Sequence, residues 1–223
     1  MLNDVVAWKN IKMIERNNMN IKWTYSIEMV NYINQNNLPV LVVVGPTGSG
    51  KTTISSYLER EYNSICVIRN FTTRQPRTSD NYCHFDYLKE EEYYKIINTN
   101  NFFIGRLGKK PFYGYKNSDL KSVFVQNKVP LFMFRDSGLD VIVRLIKRVY
   151  VLIIECDPID ALTHSNDEYC DFTIDSIIDT YTQINDIIER NPLCICRIQN
   201  KYDKEFFFDT KLHQFIRKIL NVK

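Results

Sequence analysis

Val40-Leu41-Val42-Val43-Val44-Gly45-Pro46-Thr47-Gly48-Ser49-Gly50-Lys51-Thr52 is the stretch that decides the fold. From Gly45 onward it fits G-x-x-x-x-G-K-[ST], the phosphate-binding loop. The run before Gly45 is apolar and rich in β-branched residues, which reads as a strand buried on both faces. The run after it, Thr53-Ile54-Ser55-Ser56-Tyr57-Leu58-Glu59-Arg60, reads as the start of a helix. Strand, glycine loop and helix in that order give the pattern a physical meaning. Glycines let successive N–H groups curl toward one anion, and the helix N-terminus adds partial positive charge. Residues Gly45, Pro46, Thr47, Gly48, Ser49, Gly50, Lys51, Thr52 and Thr53 are therefore expected to cradle ATP. Lys51 reaches the β- and γ-phosphates in that reading, and the Thr52 hydroxyl is a ligand of Mg²⁺.

A second segment suggests a second phosphate. Cys66-Val67-Ile68-Arg69-Asn70 reads as another strand, followed by Phe71-Thr72-Thr73-Arg74-Gln75-Pro76-Arg77. Arg74 and Arg77 beside a strand end can grip one phosphate from two sides, because guanidinium forks match phosphate oxygens. Further on, Phe112-Tyr113-Gly114-Tyr115 follows a basic, glycine-containing loop. One polyphosphate site and one site for a separate phosphorylated group are the minimum equipment for moving a phosphoryl group between two molecules.

With these pieces the chain resembles the guanylate kinase family of nucleoside monophosphate kinases. The loop GPTGSGKTT, the segment TTRQPR and the segment YGY stand at family-like spacing. Weaker matches are Leu131-Phe132-Met133-Phe134-Arg135-Asp136-Ser137-Gly138 and Cys194-Ile195-Cys196-Arg197-Ile198-Gln199-Asn200. The resemblance spans about residues 39–220, is specific from 41 to 115 and thins after 145. It implies a P-loop three-layer α/β/α fold with a mostly parallel sheet, a small acceptor-binding insertion and a helical lid region. It implies catalytic roles for Lys51, Arg74 and Arg77, and an acceptor site of Asn70, Arg74, Arg77, Tyr82, Tyr113 and Asp136. Asp80 falls where the family's acceptor loop carries a Glu, and either Tyr82 or Phe85 occupies the place of a further family tyrosine.

The departures narrow the expectation. The family reads guanine with an acid a little upstream of the YG tyrosine, where this chain has Phe103-Ile104-Gly105-Arg106-Leu107. A small hydroxyl residue follows the YG pair in the family, and here Tyr115 does. A site without its base-reading acid loses much of its discrimination. The family's lid carries several arginines that steady the transferring group. Between Arg148 and Arg190 this chain has no Lys or Arg, and ten acids: Glu155, Asp157, Asp160, Asp167, Glu168, Asp171, Asp175, Asp179, Asp186 and Glu189. Arg106, Arg144, Arg148 and Arg190 are the candidates to replace the missing lid arginine.

Length and composition agree with one globular domain and a small appendage: 223 residues, formal charge +3, no nucleic-acid-like excess of base. No apolar run is long enough to span a membrane or resemble a signal peptide, so neither nucleic acid nor membrane is an expected partner. The six cysteines and three histidines have no metal-site spacing, which suits buried thiols and a cytoplasmic location. Residues 1–38 read as an N-terminal helical extension, from Trp8, Ile11 and Ile14 and then Trp23, Ile27, Val30 and Ile33. It either packs on the domain's own surface or recruits a protein partner. Residues 39–223 read as the kinase-like domain, with the acceptor segment at about 70–116 and the lid at about 157–190. Helices are expected over 89–97, 120–126, 172–189 and 212–220, and a buried strand over 149–154. In the helix of 172–189, Ile174, Ile177, Ile178, Tyr181, Ile184 and Ile188 should face inward.

Three function classes stay open on these grounds. They are an ATP-dependent kinase of a small phosphorylated acceptor other than GMP, a GMP kinase with unfamiliar contacts, and a catalytically weak or inactive nucleotide-binding or interaction protein on the same scaffold. A relative of the guanylate kinases phosphorylates a ribose bisphosphate, so the scaffold tolerates an acceptor with no base.

Overall fold

The computed structural model describes residues 11–15, 22–77, 84–108, 110–135, 137–164, 173–203 and 205–221. The chain forms two compact units. One comprises residues 1–36, 68–76 and 80–122, the other residues 37–67, 77–79 and 123–223.

In the second unit every residue of β3 (Val40–Val44) is fully buried. Such a strand needs neighbours on both edges and helices on both faces. β3 pairs in parallel with β9 (Val129–Phe134) on one side and β10 (Val149–Glu155) on the other, so that Val42 lies between Phe132 and Val151. β4 (Ile65–Val67) and β11 (Cys194–Gln199) complete a five-stranded parallel sheet in the order β11-β10-β3-β9-β4. Helix α2 (Lys51–Glu61) and helix α8 (Thr210–Asn221) cover one face. Ile54 and Leu58 of α2 join Leu212, Phe215, Ile216 and Ile219 of α8 on Leu41, Val43, Leu131 and Leu152. On the opposite face Phe134 lays its ring against Gly138 of α5 (Ser137–Leu145), which also packs on α7 (Ile174–Glu189). The result is the expected three-layer α/β/α architecture.

α7 is rotated from the face that its isoleucines predict. Ile177, Thr180, Ile184 and Ile187 are buried, while Ile174 and Ile178 are 39% and 49% exposed. Thr180 earns its buried place with two hydrogen bonds: its hydroxyl donates to Ser176 O and accepts from Arg135. Asp175 and Asp179 are exposed, as an acidic solvated face requires.

The first unit is a six-stranded sheet in the order β1-β2-β7-β8-β5-β6. Its strands are β1 (Ile11–Glu15), β2 (Lys22–Ser26), β5 (Asn70–Thr72), β6 (Phe85–Tyr87), β7 (Ile104–Leu107) and β8 (Tyr113–Tyr115). All pairs are antiparallel except β5 with β6. The expected helical extension is therefore only partly helical. Ile11, Ile14 and Trp23 lie on strands, and the helix is α1 (Ile27–Gln35), whose N-cap Ser26 accepts from the Met29 N–H. Pairing of β2 with β7 draws this segment into the sheet. The run Cys66 to Asn70 is likewise not one strand: it ends β4 in one sheet and begins β5 in the other.

Helix α3 (Glu90–Asn98) packs on one face of this sheet through Tyr93 and Ile97, against Phe71, Phe102 and Phe112. Gly105 and Gly114 face each other across β7 and β8 on that side. A Cβ on Gly114 would come within 2.4 Å of the Phe71 ring, so the glycine is what admits the aromatic. The Tyr93 hydroxyl donates to the carbonyls of Arg106 and Tyr113, at 2.8 and 2.9 Å, one hydrogen shared between two acceptors. Its burial pushes the hydroxyl pKa far above the ordinary tyrosine range, so it remains a donor.

Gly114→Ala should therefore destabilise the fold by roughly 1–3 kcal/mol through overpacking, read as a lower urea midpoint. Adding Phe71→Leu should recover part of that loss; independent, additive effects of the two changes would contradict the packing argument.

Candidate functional site

The loop between β3 and α2 has the geometry of an anion cradle. Gly48 and Gly50 have φ of 79° and 88°, and Gly50 is the N-cap of α2 with no side chain to offer. No acid stands in the first turn of α2, so its leading N–H groups and its dipole are left for a ligand anion. Lys51 Nζ donates to Pro46 O at 2.5 Å, which sets the ammonium over the loop that it follows. Thr52 is half-buried at the first turn, and Thr53 is exposed. The Ser49 hydroxyl is buried, with no hydrogen-bond partner among the described residues.

What turns the loop's N–H groups toward a ligand is that its carbonyls are engaged elsewhere. Asn200, just past β11, donates from Nδ2 to Ser49 O at 3.0 Å. Tyr202 donates from its hydroxyl to Gly48 O at 2.8 Å. Pro46 O accepts from Lys51 and from the Ser49 N–H. A carbonyl bound in this way does not swing toward a phosphate. Asn200 is itself anchored, its N–H on Glu155 O, and its Oδ1 accepts from the Tyr202 N–H. Tyr202 stacks on His164 at 3.8 Å between ring centroids, and His164 ends α6 (Pro158–His164). α6 also presses the Ala161 carbonyl onto Gly48, where a Cβ would stand 2.1 Å from that oxygen. Burial, then the Cys156 thiol and the Asp160 and Asp157 carboxylates, push the Tyr202 hydroxyl well above its ordinary range, so the bond to Gly48 does not titrate near neutrality. Asn200 was visible in the sequence as the end of a late strand. Tyr202 carried no signal, because an aromatic in a polar loop has no periodicity to betray it.

The other candidate residues meet on the first unit's sheet, on the face away from α3. Cross-strand register arranges two rows. Arg106, Tyr113, Thr72 and Tyr87 form one, and Ile104, Tyr115, Asn70 and Phe85 the other. β2 extends each row, with Trp23 opposite Arg106 and Tyr25 opposite Ile104. The Arg74 guanidinium lies over Phe85 and Tyr87, 4.9 and 5.5 Å from their centroids. The Arg106 guanidinium lies 4.8 Å over Tyr113 and donates to Pro111 O. The first row is thus flanked by an arginine at each end. The second is apolar or aromatic apart from Asn70, which is buried and whose Oδ1 has no hydrogen-bond partner among the described residues. Thr72 holds the approach in place, donating to Phe112 O and accepting from the Arg74 N–H.

Asn70 and Tyr113 therefore share one sheet face with the Arg74 guanidinium, and Asn70 stands between Tyr115 and Phe85. Arg77 belongs to the second unit and is half-buried. Tyr82 and Asp136, like Asp80 and Asp171, lie outside the described residues. All four arginines considered as lid replacements have partners, Arg106 in Pro111 O and the Tyr113 ring. Arg144 pairs with Asp140, Arg148 donates to Asn37 O, and Arg190 donates to Asp186 O. Among the described residues no group of three or more His, Cys, Asp or Glu side chains is placed to hold a metal ion, and no helix is long and apolar enough to cross a membrane.

Comparison with known proteins points one way. A guanylate kinase of Clostridium perfringens (strain SM101) is 30% identical over 102 residues, 45% of this chain and 47% of that protein. A guanylate kinase of Helicobacter pylori (strain 26695) is 26% identical over 98 residues, 44% of this chain and 48% of that protein. The chain thus spans about half the length of the curated relatives it matches. No family model matches the sequence. In fold, the chain superposes on the crystal structure of guanylate kinase from Anaplasma phagocytophilum with a TM-score of 0.59, 16% identity, and coverage of 83% of this chain and 85% of that one.

The loop geometry makes its own prediction. Gly48→Ala places a Cβ at positive φ and against the Ala161 carbonyl. Affinity for a fluorescent ATP analogue should fall by about tenfold or more, with the strain relieved only by shifting the loop. Unchanged affinity would show that the loop does not bind the phosphates.

Proposed function

The chain is related to the guanylate kinases, and on that premise we propose that it is an ATP-dependent phosphotransferase acting on a small phosphorylated acceptor. The observation that carries the reading is the loop of residues 45–52: its carbonyls are tied back, and Lys51 and Thr52 stand at an uncapped helix N-terminus. An oxygen of the acceptor's phosphate attacks the γ-phosphorus, the bond from γ-phosphorus to the bridging oxygen breaks, and ADP leaves. Lys51 neutralises charge on the β- and γ-phosphates. The Thr52 hydroxyl would be the protein ligand of Mg²⁺, which would supply positive charge against the transferring phosphates. The donor set suits it: a hydroxyl with no acid in that helix turn leaves room for phosphate oxygens as the remaining ligands.

Arg74 and Tyr113 grip the acceptor's phosphate on the sheet face of the first unit. Asn70 offers its buried Oδ1 to a donor on the acceptor. Ile104 stands in the adjacent position where an acid would read guanine, so GMP is a poor fit and an acceptor with hydroxyl donors a better one. Of the four arginines considered, Arg106 stands beside Tyr113, and we assign to it added charge on the acceptor's phosphate. The run from Arg148 to Arg190 without Lys or Arg also favours a second reading, a nucleotide-binding protein with little or no transfer activity.

Lys51→Ala should abolish ADP release without lowering the melting temperature, because the ammonium caps a loop and not the core. Arg74→Ala should raise the acceptor KM by about tenfold or more and leave the ATP KM in place, as expected for loss of a charge-assisted phosphate contact. An unchanged acceptor KM would make Arg74 a surface residue. ATP binding with no ADP release on any phosphorylated acceptor would support the second reading.

A further inference from the structure

β11 ends the parallel sheet, and among the described residues no strand pairs with its outer edge. Parallel pairing with β10 fixes which backbone groups point outward. Asn200 N–H bonds Glu155 O at 2.7 Å, in line with the register of Gln199 opposite Glu155. Alternation then turns the N–H and C=O of Ile198, Cys196 and Cys194 toward β10, and those of Ile195, Arg197 and Gln199 toward the open edge. That edge is the floor of a groove of about 600 Å³. Its walls are Ile188 of α7 on one side and Lys211, Gln214, Phe215 and Lys218 of α8 on the other. Lys211 and Lys218 are exposed, Arg197 projects from the strand and is paired with Glu155 at 2.6 Å, and no carboxylate is among the described residues that line the groove.

A strand edge between two helices, with an apolar floor and cationic wall, is the arrangement in which an extended peptide adds to a sheet. Lys211 and Lys218 lie seven residues apart on α8, about 10 Å along its axis, which is about the rise of three strand residues. One short extended segment therefore passes both lysines. Self-pairing of two β11 edges would set Lys211 and Lys218 of each copy against the same cations of the other, and like charges across a strand pair repel. The charge pattern selects a segment of opposite sign.

We propose that the β11 edge docks an extended acidic segment of a partner protein, which joins the sheet as a strand and sets its carboxylates on Lys211 and Lys218. The site is separate from the residues assigned to phosphoryl transfer.

The test uses the full chain and a fluorescein-labelled peptide of alternating glutamate and valine. Anisotropy should report binding, and amide NMR should place the shifts at Ile195, Arg197 and Gln199. Lys211→Glu combined with Lys218→Glu should weaken binding by about tenfold or more, because two rim charges are reversed. The same peptide N-methylated at alternate residues lacks ladder donors and should also lose binding. Equal binding of the methylated peptide, no binding of either peptide, or shifts confined to other strands would each overturn the proposal. So would a dimer in sedimentation that the double substitution dissociates, since a second copy would then be the occupant. ADP release should be the same in the double variant, so failure here leaves the kinase reading standing and failure of that reading leaves this result readable.

Discussion

The constraint on which the site depends is that three carbonyls of one glycine loop are held by hydrogen bonds, two of them from residues past β11 in the same unit and one from within the loop. Asn200 holds Ser49 O, Tyr202 holds Gly48 O, and Lys51 with the Ser49 N–H holds Pro46 O. Each bond is modest alone, about 0.5–1.5 kcal/mol net. Together they decide which side of the peptide planes a ligand meets, and an anion needs the N–H side. The anchors are themselves built on the sheet: Asn200 is fixed to Glu155 at the end of β10, and β10 to β3 by register. The path from core to chemistry is short. An entirely apolar β3 fixes a central parallel strand, and its neighbour's end supplies the parts that shape the loop.

The acceptor side follows a different logic. There the sheet is thin, and one face is spent on packing α3. Gly114 gives Phe71 room, and Tyr93 ties β7 to β8 through two carbonyls. The opposite face carries arginines over aromatic rings at both ends of one row. Stacking orders the guanidinium planes while leaving N–H edges able to meet a phosphate.

Much of the fold was legible because its signals are local. A run of five apolar residues, a glycine loop and the α8 positions 212, 215, 216 and 219 need no long-range information. The N-terminal strands were not legible. Ile11 and Ile14 stand three apart, the spacing of a helix, and β2 is a strand because β7, far along the chain, pairs with it. α7 misled for a related reason. Its apolar stripe is wide, and the buried side is chosen by Thr180, a polar residue satisfied by Arg135 and the Ser176 carbonyl. The phosphate-loop pattern of residues 45–52 stood in the sequence, and the structure adds that its carbonyls are tied back. Tyr202 and the row holding Arg106 came only from contacts.

The central claim is that a working triphosphate loop serves an acceptor other than an ordinary guanine nucleotide. Steady-state ADP release with ATP and Mg²⁺, measured side by side on GMP and on a series of sugar phosphates, tests it most directly. The account predicts that at least one sugar phosphate supports turnover and that GMP runs below it, by a factor on the order of 10³ under a typical kinase if one arginine contribution is missing. GMP turnover on the order of 10 s⁻¹ or more, with the sugar phosphates inert, would contradict it.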